Sequence, residues 1–363
     1  MKIVFDNIIF WLQRSGGGSV YWTELIKRFN NLEGIDVKFY DEKENCNNIF
    51  RKEIKLKNVS IENFLHLKIR RYLNFRERIE EKSIFHSSYF RVSKSKNAIN
   101  VTTIHDLTAE KFTTGLGRFV NYHQKKHAIK NSDGIICISE NTKKDLLEFF
   151  PEVENKKIRV IYNGVSDDFF KIEHNFNLGE IDKRFLSLED TKYLLFVGRR
   201  NSYKNFHLVV KAACLVKSEY KLVIVGEELN KEEYALINKY LGDHFIIFNK
   251  LDNNKLNYLY NKAFVLLYPS LYEGFGIPIV EAMKAHCPVI AANNSSIPEV
   301  AGDAAILYDN INENLIVDGI KKLESTSFRA DIIKKGIQQF PKFDWNKTYL
   351  NYLEFYKELY DGK

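Results

Sequence analysis

The sequence predicts an α/β protein with two Rossmann-like domains, each built on a doubly wound parallel sheet. Short apolar runs alternate with helical patterns along the whole chain, as they do in parallel βαβ units. The apolar runs form two series, and 363 residues are many for a single hydrophobic core. We therefore expect two sheets facing a cleft rather than one closed barrel.

The strand candidates of the first series are residues 2–10, 35–40, 83–86, 99–104, 134–139 and 158–162, and those of the second are 193–197, 221–225, 245–248, 263–268, 288–292 and 304–308. Residues 171–191 between the series are polar, as in a linker. The predicted domains are therefore 1–165 and 166–344. A separate last helix is predicted within 345–363, because aromatic residues recur on one of its faces after Pro341 and Asp344.

Residues 51–82 show little strand character and are predicted to be helical insertions in the first domain. They carry ten Lys and Arg residues against five Asp and Glu residues. This surplus fits a solvated helical face, and it also fits contact with an anionic partner such as a phospholipid surface or a pyrophosphate carrier.

The composition argues against several classes of protein. The formal net charge of +7 is mild, and no nucleic-acid partner is expected. The four cysteines are scattered without a Cys-x-x-Cys pair, which argues against a disulfide framework or a structural zinc site. His123 and His127 have helical spacing, but no glutamate lies between them, so a helix surface is favoured over a metal site. No apolar run approaches the ~20 residues of a membrane span. No leader pattern precedes the first strand, and we expect a cytoplasmic protein.

The most informative motif is residues 273–281, in which Glu273 and Glu281 flank a glycine-rich turn. A strand candidate precedes the motif, and a helix with Pro278 in its first turn follows. Glu273 would then lie at the carboxyl end of a strand, where open α/β sheets bind ligands. The N–H groups of residues 274–277 can face an anion, and the carboxylates suit a sugar and a ribose. Two solvated glutamates in a surface loop are the alternative.

Two further motifs follow strand candidates of the first domain. Gly16, Gly17 and Gly18 precede a helix predicted from about residue 19, where their N–H groups could hold a phosphate or a sugar. His105 and Asp106 end an apolar strand; a neutral histidine can donate to a sugar hydroxyl, and the aspartate can fix its tautomer or cap the next helix. A flexible turn and a structural His-Asp pair are the respective alternatives.

Two motifs follow strands of the second domain. Arg199 and Lys204 flank a loop after Gly198, and two cations at this spacing can hold a pyrophosphate. Gly226 ends another strand, and a nucleoside could pack against the backbone at this strand end. Solvated loop charges and a simple strand-to-helix turn are the alternatives.

These motifs together resemble the family 4 glycosyltransferases of the two-domain GT-B architecture. The resemblance runs from Gln13–Trp22 through His105-Asp106, Ile138–Thr142 and Tyr162–Val165 to Gly198–Asn205, Pro269–Ala282 and Ile297–Val300. The two glutamates with the upstream Arg and Lys are its specific part. The chain departs from the family at Ser166, where aspartate is common, and at His286-Cys287, where a small residue and glycine are usual.

The resemblance implies a role for each candidate residue. Arg199 and Lys204 would hold the donor diphosphate, Glu281 the ribose and Glu273 the transferred sugar, while His105 would steady that sugar. Backbone groups would contact the donor at Gly16, Gly17, Gly18, Gly226, Gly274, Phe275, Gly276 and Ile277. The last helix would cross back to the first domain.

The resemblance therefore implies a retaining hexosyltransferase. We expect it to work without a metal ion, because the sequence contains no Asp-x-Asp, and without another cofactor. The donor would be a GDP- or UDP-sugar, with mannose or a related hexose favoured. The acceptor would be a glycan or a polyprenyl-pyrophosphate-linked sugar in O-antigen or capsule synthesis, and residues 51–82 would touch the inner face of the plasma membrane. A nucleotide-sugar epimerase, a phosphorylase and a non-catalytic donor-binding subunit are the alternatives.

Overall fold

The computed structural model describes residues 1–62, 66–173, 183–249 and 251–363. The described residues form two compact units, one of Met1–Gly164 with Trp345–Lys363 and one of Val165–Asp344. The division falls one residue before the predicted one, and the last helix belongs to the first unit. The predicted linker, 171–191, lies partly outside the described residues.

Strands and helices alternate through both units. The strands are β1 Lys2–Asp6, β2 Asp36–Glu42, β3 Val59–Glu62, β4 Ser83–Ser87, β5 Ala98–Ile104, β6 Gly134–Cys137, β7 Lys157–Val160, β8 Tyr193–Val197, β9 Lys221–Gly226, β10 Phe245–Asn249, β11 Val265–Tyr268, β12 Val289–Ala292 and β13 Ile306–Tyr308. The helices are α1 Ile9–Leu12, α2 Gly17–Asn30, α3 Ile49–Glu53, α4 Leu67–Arg70, α5 Thr108–Phe112, α6 Gly115–Lys130, α7 Glu140–Phe149, α8 Lys183–Leu186, α9 Phe206–Leu215, α10 Lys231–Leu241, α11 Asn253–Lys262, α12 Ile277–Lys284, α13 Ile297–Ala301, α14 Glu313–Glu324, α15 Thr326–Gln339 and α16 Trp345–Asp361.

Each unit contains one parallel sheet. The described strands of the first unit are ordered β3-β2-β1-β4-β5-β6-β7, and those of the second are ordered β10-β9-β8-β11-β12-β13. The strand order reverses beside β1 in the first sheet and beside β8 in the second. Ligands of such sheets bind beyond the carboxyl ends of the strands at that reversal. The two Rossmann-like domains predicted from the sequence are confirmed.

Helix α16 completes the core of the first unit. Its apolar face buries Trp345, Tyr352, Phe355, Tyr356 and Leu359 among side chains of β1, β4 and α2. The aromatic periodicity that predicted the helix therefore reflects burial. Among the described residues, no helix combines the length and the apolar character needed to cross a bilayer.

The first predicted strand, 2–10, is too long. Strand β1 ends at Asp6, whose Oδ1 accepts a hydrogen bond from the Ile8 N–H, and helix α1 begins at Ile9. The apolar run continues through this turn because Ile9 and Phe10 are also buried. Periodicity alone could not separate the strand from the short buried helix.

The prediction of a purely helical 51–82 is wrong, because Val59–Glu62 forms strand β3 at the edge of the first sheet. The strand has only four residues, and its alternation does not mark a buried apolar face, because Val59 and Ile61 are exposed whereas Glu62 is buried. Two cations of this stretch are neutralised within the unit: Arg51 pairs with Asp41, and buried Arg70 pairs with Glu42 and Glu44. The basic surplus of 51–82 is therefore smaller at the surface than in the sequence.

Candidate active site

The loops that carry the most specific sequence motifs lie where the strand order of the second sheet reverses. The loop of Arg199 and Lys204 follows β8, and the loop of Glu273 follows β11, which pairs with β8. Lys204 Nζ lies 2.5 Å from Glu273 Oε1, and both side chains are largely buried. The structure thus brings together one cation and one carboxylate that the sequence placed far apart.

Two hydrogen bonds hold these loops together. Leu271 N–H donates to the Tyr203 carbonyl at 2.7 Å, and Asn205 Nδ2 donates to the Pro269 carbonyl at 3.0 Å. Asn205 adopts a left-handed conformation, with φ of 51°, between the turn that contains Lys204 and helix α9. Lys204 is consequently presented from a short turn that is fixed at both ends.

Serines that sequence reasoning missed hold the backbone of Glu273. Its N–H donates to Ser295 Oγ at 2.9 Å. Ser296 Oγ lies 2.9 Å from the carbonyl oxygens of both Glu273 and Phe275, which share its single hydroxyl proton. Both serines lie in the loop after β12, the next strand of the sheet. Their position after an apolar strand candidate, 288–292, is the signal that could have found them.

Glu281 occupies a different environment from Glu273. It lies in α12, and its Oε2 accepts a hydrogen bond from the Tyr260 hydroxyl at 2.9 Å. Removal from water raises the pKa of Glu281 to about 7, against a smaller lowering by the Tyr260 hydrogen bond. Tyr260 is buried in α11 and was not predicted from the sequence. A tyrosine hydroxyl hydrogen-bonds to each glutamate, Tyr268 to Glu273 and Tyr260 to Glu281, and Glu273 has the Lys204 ammonium as a further partner.

The turn between the glutamates ends at the start of a helix, as predicted. Gly276 precedes α12 with φ of 108°, a conformation that side chains disfavour, and Ile277 begins the helix. The first N–H groups of a helix lack partners within it, so this end can accept an anion. Phe275 has a packing role: its side chain is buried against Phe343, with ring centroids 5.5 Å apart.

The departure at His286-Cys287 has a local consequence. His286 follows α12 in the left-handed conformation, with φ of 59°, which glycine adopts more readily. Cys287 N–H donates to the Ala282 carbonyl at 2.8 Å, so the turn closes the helix despite the side chain. At the other departure, Ser166 offers its carbonyl to Lys284 Nζ at 3.0 Å.

Gly226 allows a close approach between two loops. A Cβ atom there would lie 2.5 Å from the Gly198 carbonyl oxygen and 2.9 Å from Arg200 Nη1. The Arg200 side chain is buried; it pairs with Glu233 at 3.0 Å and donates to the carbonyls of Glu227 and Glu228. Arg200 thus holds the loop after β9, a role that sequence reasoning missed.

A cavity of about 560 Å³ adjoins these loops. It is lined by residues at the ends of β8, β9 and β10, namely Val197, Gly198, Arg199, Val225, Gly226, Glu227, Glu228, Asn249 and Leu251. Arg199 is mostly exposed at its rim, and its Nε lies 3.2 Å from Glu227 Oε1. Arg199 and Lys204 therefore pair with different carboxylates.

In the first unit, the glycine motif lies closer to the helix than predicted. Helix α2 begins at Gly17, so Gly17 and Gly18 form its first turn and Gly16 precedes it. A Cβ atom on Gly16 would lie 2.5 Å from Gln13 Oε1, whereas nothing lies within 4 Å of one on Gly17. There is therefore space beside Gly17 at the helix start, whereas a side chain at Gly16 would require the flexible end of Gln13 to move.

His105 lies directly after β5 and contacts the Tyr21 ring, with centroids 4.5 Å apart. Removal from water lowers the pKa of His105 to about 4, so the ring is neutral at pH 7. Asp106 Oδ1 accepts a hydrogen bond from the Thr108 N–H at the start of α5. Asp106 was predicted either to fix the His105 tautomer or to cap the next helix. The structure shows its side chain at the start of that helix.

A buried polar network that sequence reasoning missed lies next to His105. Tyr21 and Tyr352 share a short hydrogen bond, and both contact Thr103 Oγ1. Thr103 also contacts His86 Nε2 at 3.0 Å, and His86 Nδ1 lies 2.5 Å from the Tyr356 hydroxyl. The network links four elements of the first unit: α2, β4, β5 and α16.

One cluster in the first unit has the ligand chemistry of a cation site. Carboxylate oxygens of Asp6, Glu42 and Glu62 lie within 4.8 Å of one another. Arg91 already lies against all three, at 3.0, 3.8 and 2.8 Å respectively, and Arg70 also pairs with Glu42. Two guanidinium groups therefore take the place of a metal ion. Burial, with the nearby Asp6 charge, raises the pKa of Glu42 to about 8.

Comparison with known families decides the identity of the chain. Residues 15–169 match the model described as Glycosyltransferase Family 4, and residues 179–339 match the model Glycosyl transferases group 1. The chain is a family 4 glycosyltransferase. The resemblance drawn from the sequence motifs is confirmed.

Relatives of this glycosyltransferase include O-antigen mannosyltransferases. It is 27% identical to the uncharacterized glycosyltransferase MJ1178 of Methanocaldococcus jannaschii over 99% of each chain. It is 28% identical to the O-antigen chain mannosyltransferase RfbU of Salmonella typhimurium over 61% of this chain and 58% of the relative. The chain thus matches little more than half the length of that mannosyltransferase.

Solved structures of similar fold cover the whole glycosyltransferase. Sucrose-phosphate synthase from Thermosynechococcus elongatus matches with a TM-score of 0.74 and 17% identity over 100% of both chains. Anabaena Alr3699/HepE in complex with UDP and glucose matches with a TM-score of 0.73 and 17% identity over 99% of this chain and 100% of that one. At such identities these likenesses show the fold.

Proposed function

We propose that this glycosyltransferase transfers a hexose, with mannose or a related sugar favoured, from a nucleoside diphosphate to a hydroxyl group, with retention and without a metal ion or other cofactor. The observation that carries the proposal is the Lys204–Glu273 pair at the strand-order reversal of the second sheet. The pair supports the proposal because it puts a cation that could bind a diphosphate beside a carboxylate that can accept hydrogen bonds from a sugar.

Each charged group has a part in this proposal. Lys204, Arg199 and the start of α12 would stabilise the negative charge that develops on the leaving diphosphate. Glu281 would accept hydrogen bonds from the ribose, and the cavity beside Gly226 would hold the nucleoside. Glu273 would orient the sugar and stabilise positive charge at its anomeric carbon.

The proposed reaction needs no nucleophile from the enzyme, because the acceptor oxygen attacks the sugar directly. The bond from the anomeric carbon to the diphosphate oxygen breaks, and the acceptor oxygen bonds to the same face of that carbon. The proton of the acceptor hydroxyl passes to an oxygen of the leaving diphosphate. In the first unit, His105 is neutral and would donate a hydrogen bond to the sugar, while the open start of α2 at Gly17 would approach the diphosphate.

The acceptor in this proposal is a glycan or a polyprenyl-pyrophosphate-linked sugar in surface polysaccharide synthesis. Support comes from the mannosyltransferase RfbU and from a Campylobacter jejuni relative, 29% identical over 59% of this chain and 57% of its own, that is named for transfer of N-acetylgalactosamine to a diphospho-undecaprenol-linked acceptor. In this proposal the protein works in the cytoplasm at the inner face of the plasma membrane.

A donor and acceptor screen tests the proposal. Purified protein would be incubated with GDP- and UDP-hexoses and with synthetic polyprenyl-pyrophosphate-linked sugars, and products would be identified by mass spectrometry. Nuclear magnetic resonance of the product gives the anomeric configuration. We expect transfer with retention, weakened roughly 10- to 100-fold in Lys204→Ala. Inversion, epimerised donor, or phosphate-dependent cleavage of a glycan would each overturn it.

A further inference from the structure

A buried ion pair adjoins the His105-Asp106 motif in the first unit. Lys125 of α6 and Glu110 of α5 are 3% and 2% exposed, and Lys125 Nζ lies 2.7 Å from Glu110 Oε2. The other carboxylate oxygen, Oε1, is buried and has no hydrogen-bond partner among the described residues. Such a pair adds little stability, because removing both charges from water offsets their attraction and an unbonded buried oxygen costs more.

Lys125 also holds the backbone of the motif. Its Nζ donates to the Asp106 carbonyl at 3.0 Å and lies 5.6 Å from the centre of the Phe90 ring. Because Asp106 Oδ1 accepts from the Thr108 N–H, both the carbonyl and the side chain of Asp106 are fixed. The chain is thus held at the position that directly follows His105.

The charge of Lys125 also acts on the His105 ring. Burial has the largest effect on the pKa of His105 and lowers it, Asp106 raises it, and Lys125 lowers it. The ring also faces Tyr21 of α2 and lies near His86 of β4, whose own pKa is lowered by burial and by His105. Lys125 is the cation among these groups, and it favours the neutral imidazole, which keeps one N–H donor and one acceptor nitrogen.

We infer that Lys125 and Glu110 are positioning residues for His105. Lys125 would fix the Asp106 carbonyl and so the direction in which the His105 side chain leaves β5, while Glu110 balances the ammonium charge in the interior. The consequence for catalysis rests on the proposed function, in which His105 donates to the transferred sugar. A small displacement of such a group lowers turnover strongly.

The test replaces both charged residues with apolar ones of similar size, so that no buried charge loses its partner. The pair variant is Lys125→Met with Glu110→Leu, made in the wild type and in His105→Ala. The matched control is Lys126→Met with Glu152→Gln, since this ion pair, 3.2 Å long and exposed, starts at the next residue of α6. Urea unfolding of each protein establishes that it is folded.

We expect the pair variant to lower kcat roughly tenfold with KM for the donor nearly unchanged, whereas the control matches the wild type. In the His105→Ala background the same replacement should change kcat little, because the residue that the pair positions is gone. Full activity of the pair variant would overturn the inference. An equal loss with and without His105 would do the same, since it would point to a general effect on packing.

A second measurement does not depend on sugar transfer. Nuclear magnetic resonance of the ¹⁵N-labelled full-length protein at pH 7 gives the His105 ring signals, assigned by their loss in His105→Ala; these signals report the tautomer and its hydrogen bonds. We expect them to shift in the pair variant and to stay in place in the control. Unchanged signals would overturn the inference. A shift in a protein that transfers no sugar would refute the proposed function and support the positioning of His105.

Discussion

Lys204 Nζ lies 2.5 Å from Glu273 Oε1, across 69 positions of sequence. The pair joins the two strand ends where the order of the second sheet reverses. Neither residue is fully exposed, and Lys204 also lies 5.6 Å from the centre of the Tyr268 ring. A ligand that binds Lys204 would therefore act on Glu273 as well.

Replacing either predicted diphosphate-binding cation should weaken nucleotide binding. Lys204→Ala and Arg199→Ala each remove one charge-assisted contact, which we expect to cost ~1.5–3 kcal/mol, or roughly 10- to 100-fold in affinity. Lys204→Ala should have the larger effect, because Arg199 is 68% exposed whereas Lys204 is 16% exposed. Calorimetry with nucleoside diphosphates measures both. Lys211→Ala is the matched control, since Lys211 pairs with Glu313 on another helix. Unchanged affinity in both site variants would refute the assignment.

The two glutamates should affect different steps. Glu273→Gln removes a charge that would stabilise the transition state, so we expect lower turnover with donor affinity nearly unchanged. Glu281→Gln should instead weaken binding of the bare nucleotide, because its proposed partner is the ribose. Turnover and nucleotide affinity of both variants separate these roles. The assignment of separate roles fails if both variants change turnover and affinity in the same way, or if Glu273→Gln is fully active.

Glu281 should make stability depend on pH. Its pKa is about 7 in the folded protein, and the ordinary pKa of a glutamate carboxyl is 4.5, so between these values the folded state holds a proton that the unfolded state has lost. The free energy of unfolding should therefore fall as pH rises from about 4.5 to 7, by an order of 1–3 kcal/mol, and level off above.

Urea unfolding of the wild type and Glu281→Gln across this pH range measures the effect of Glu281. The difference between the two proteins isolates this carboxyl from other groups that titrate, including Glu42. Tyr260→Phe should raise the pKa of Glu281 further, because the phenol hydrogen bond lowers it. Parallel pH profiles for the wild type and Glu281→Gln would contradict the prediction.

Activity should survive an excess of chelator. The candidate site contains cationic side chains and helix starts that can stabilise a leaving diphosphate, and the sequence has no Asp-x-Asp to bridge a metal ion and a diphosphate. Initial rates with and without EDTA test this expectation. Silencing by EDTA with rescue by Mg²⁺ or Mn²⁺ would show that a metal ion takes part.

Gly134 should be sensitive to substitution because α16 packs directly on it. A Cβ atom there would overlap Leu359 Cδ1 and lie 3.0 Å from Phe355. We expect Gly134→Ala to destabilise the protein by ~1–3 kcal/mol through overpacking. Leu359→Ala leaves space for the added methyl, so the double variant should lose less than the sum of the single losses. Additive losses in urea unfolding would argue against this contact.

The sequence predicted eleven of the strands closely, and its failures have physical causes. Strand β3 was missed because it has only four residues and its apolar side chains, Val59 and Ile61, are exposed. Its pairing with β2 joins residues that are distant in sequence. Strand β1 was drawn too long because a buried helix turn carries the same apolar residues as a strand. Among the site residues, Ser295, Tyr260 and Arg200 were missed because their partners are set by folding.

Local sequence patterns specify most of the segments that form strands and helices, and which strand ends carry charged or glycine-rich loops. These properties depend on residues that are neighbours in the chain, through periodicity and backbone preference. Three features follow from the folding of distant segments instead: Lys204 pairs with Glu273, Glu281 pairs with Tyr260, and Arg70 is buried. Such pairings depend on sheet order and on loss of solvent, which arise when distant segments pack together.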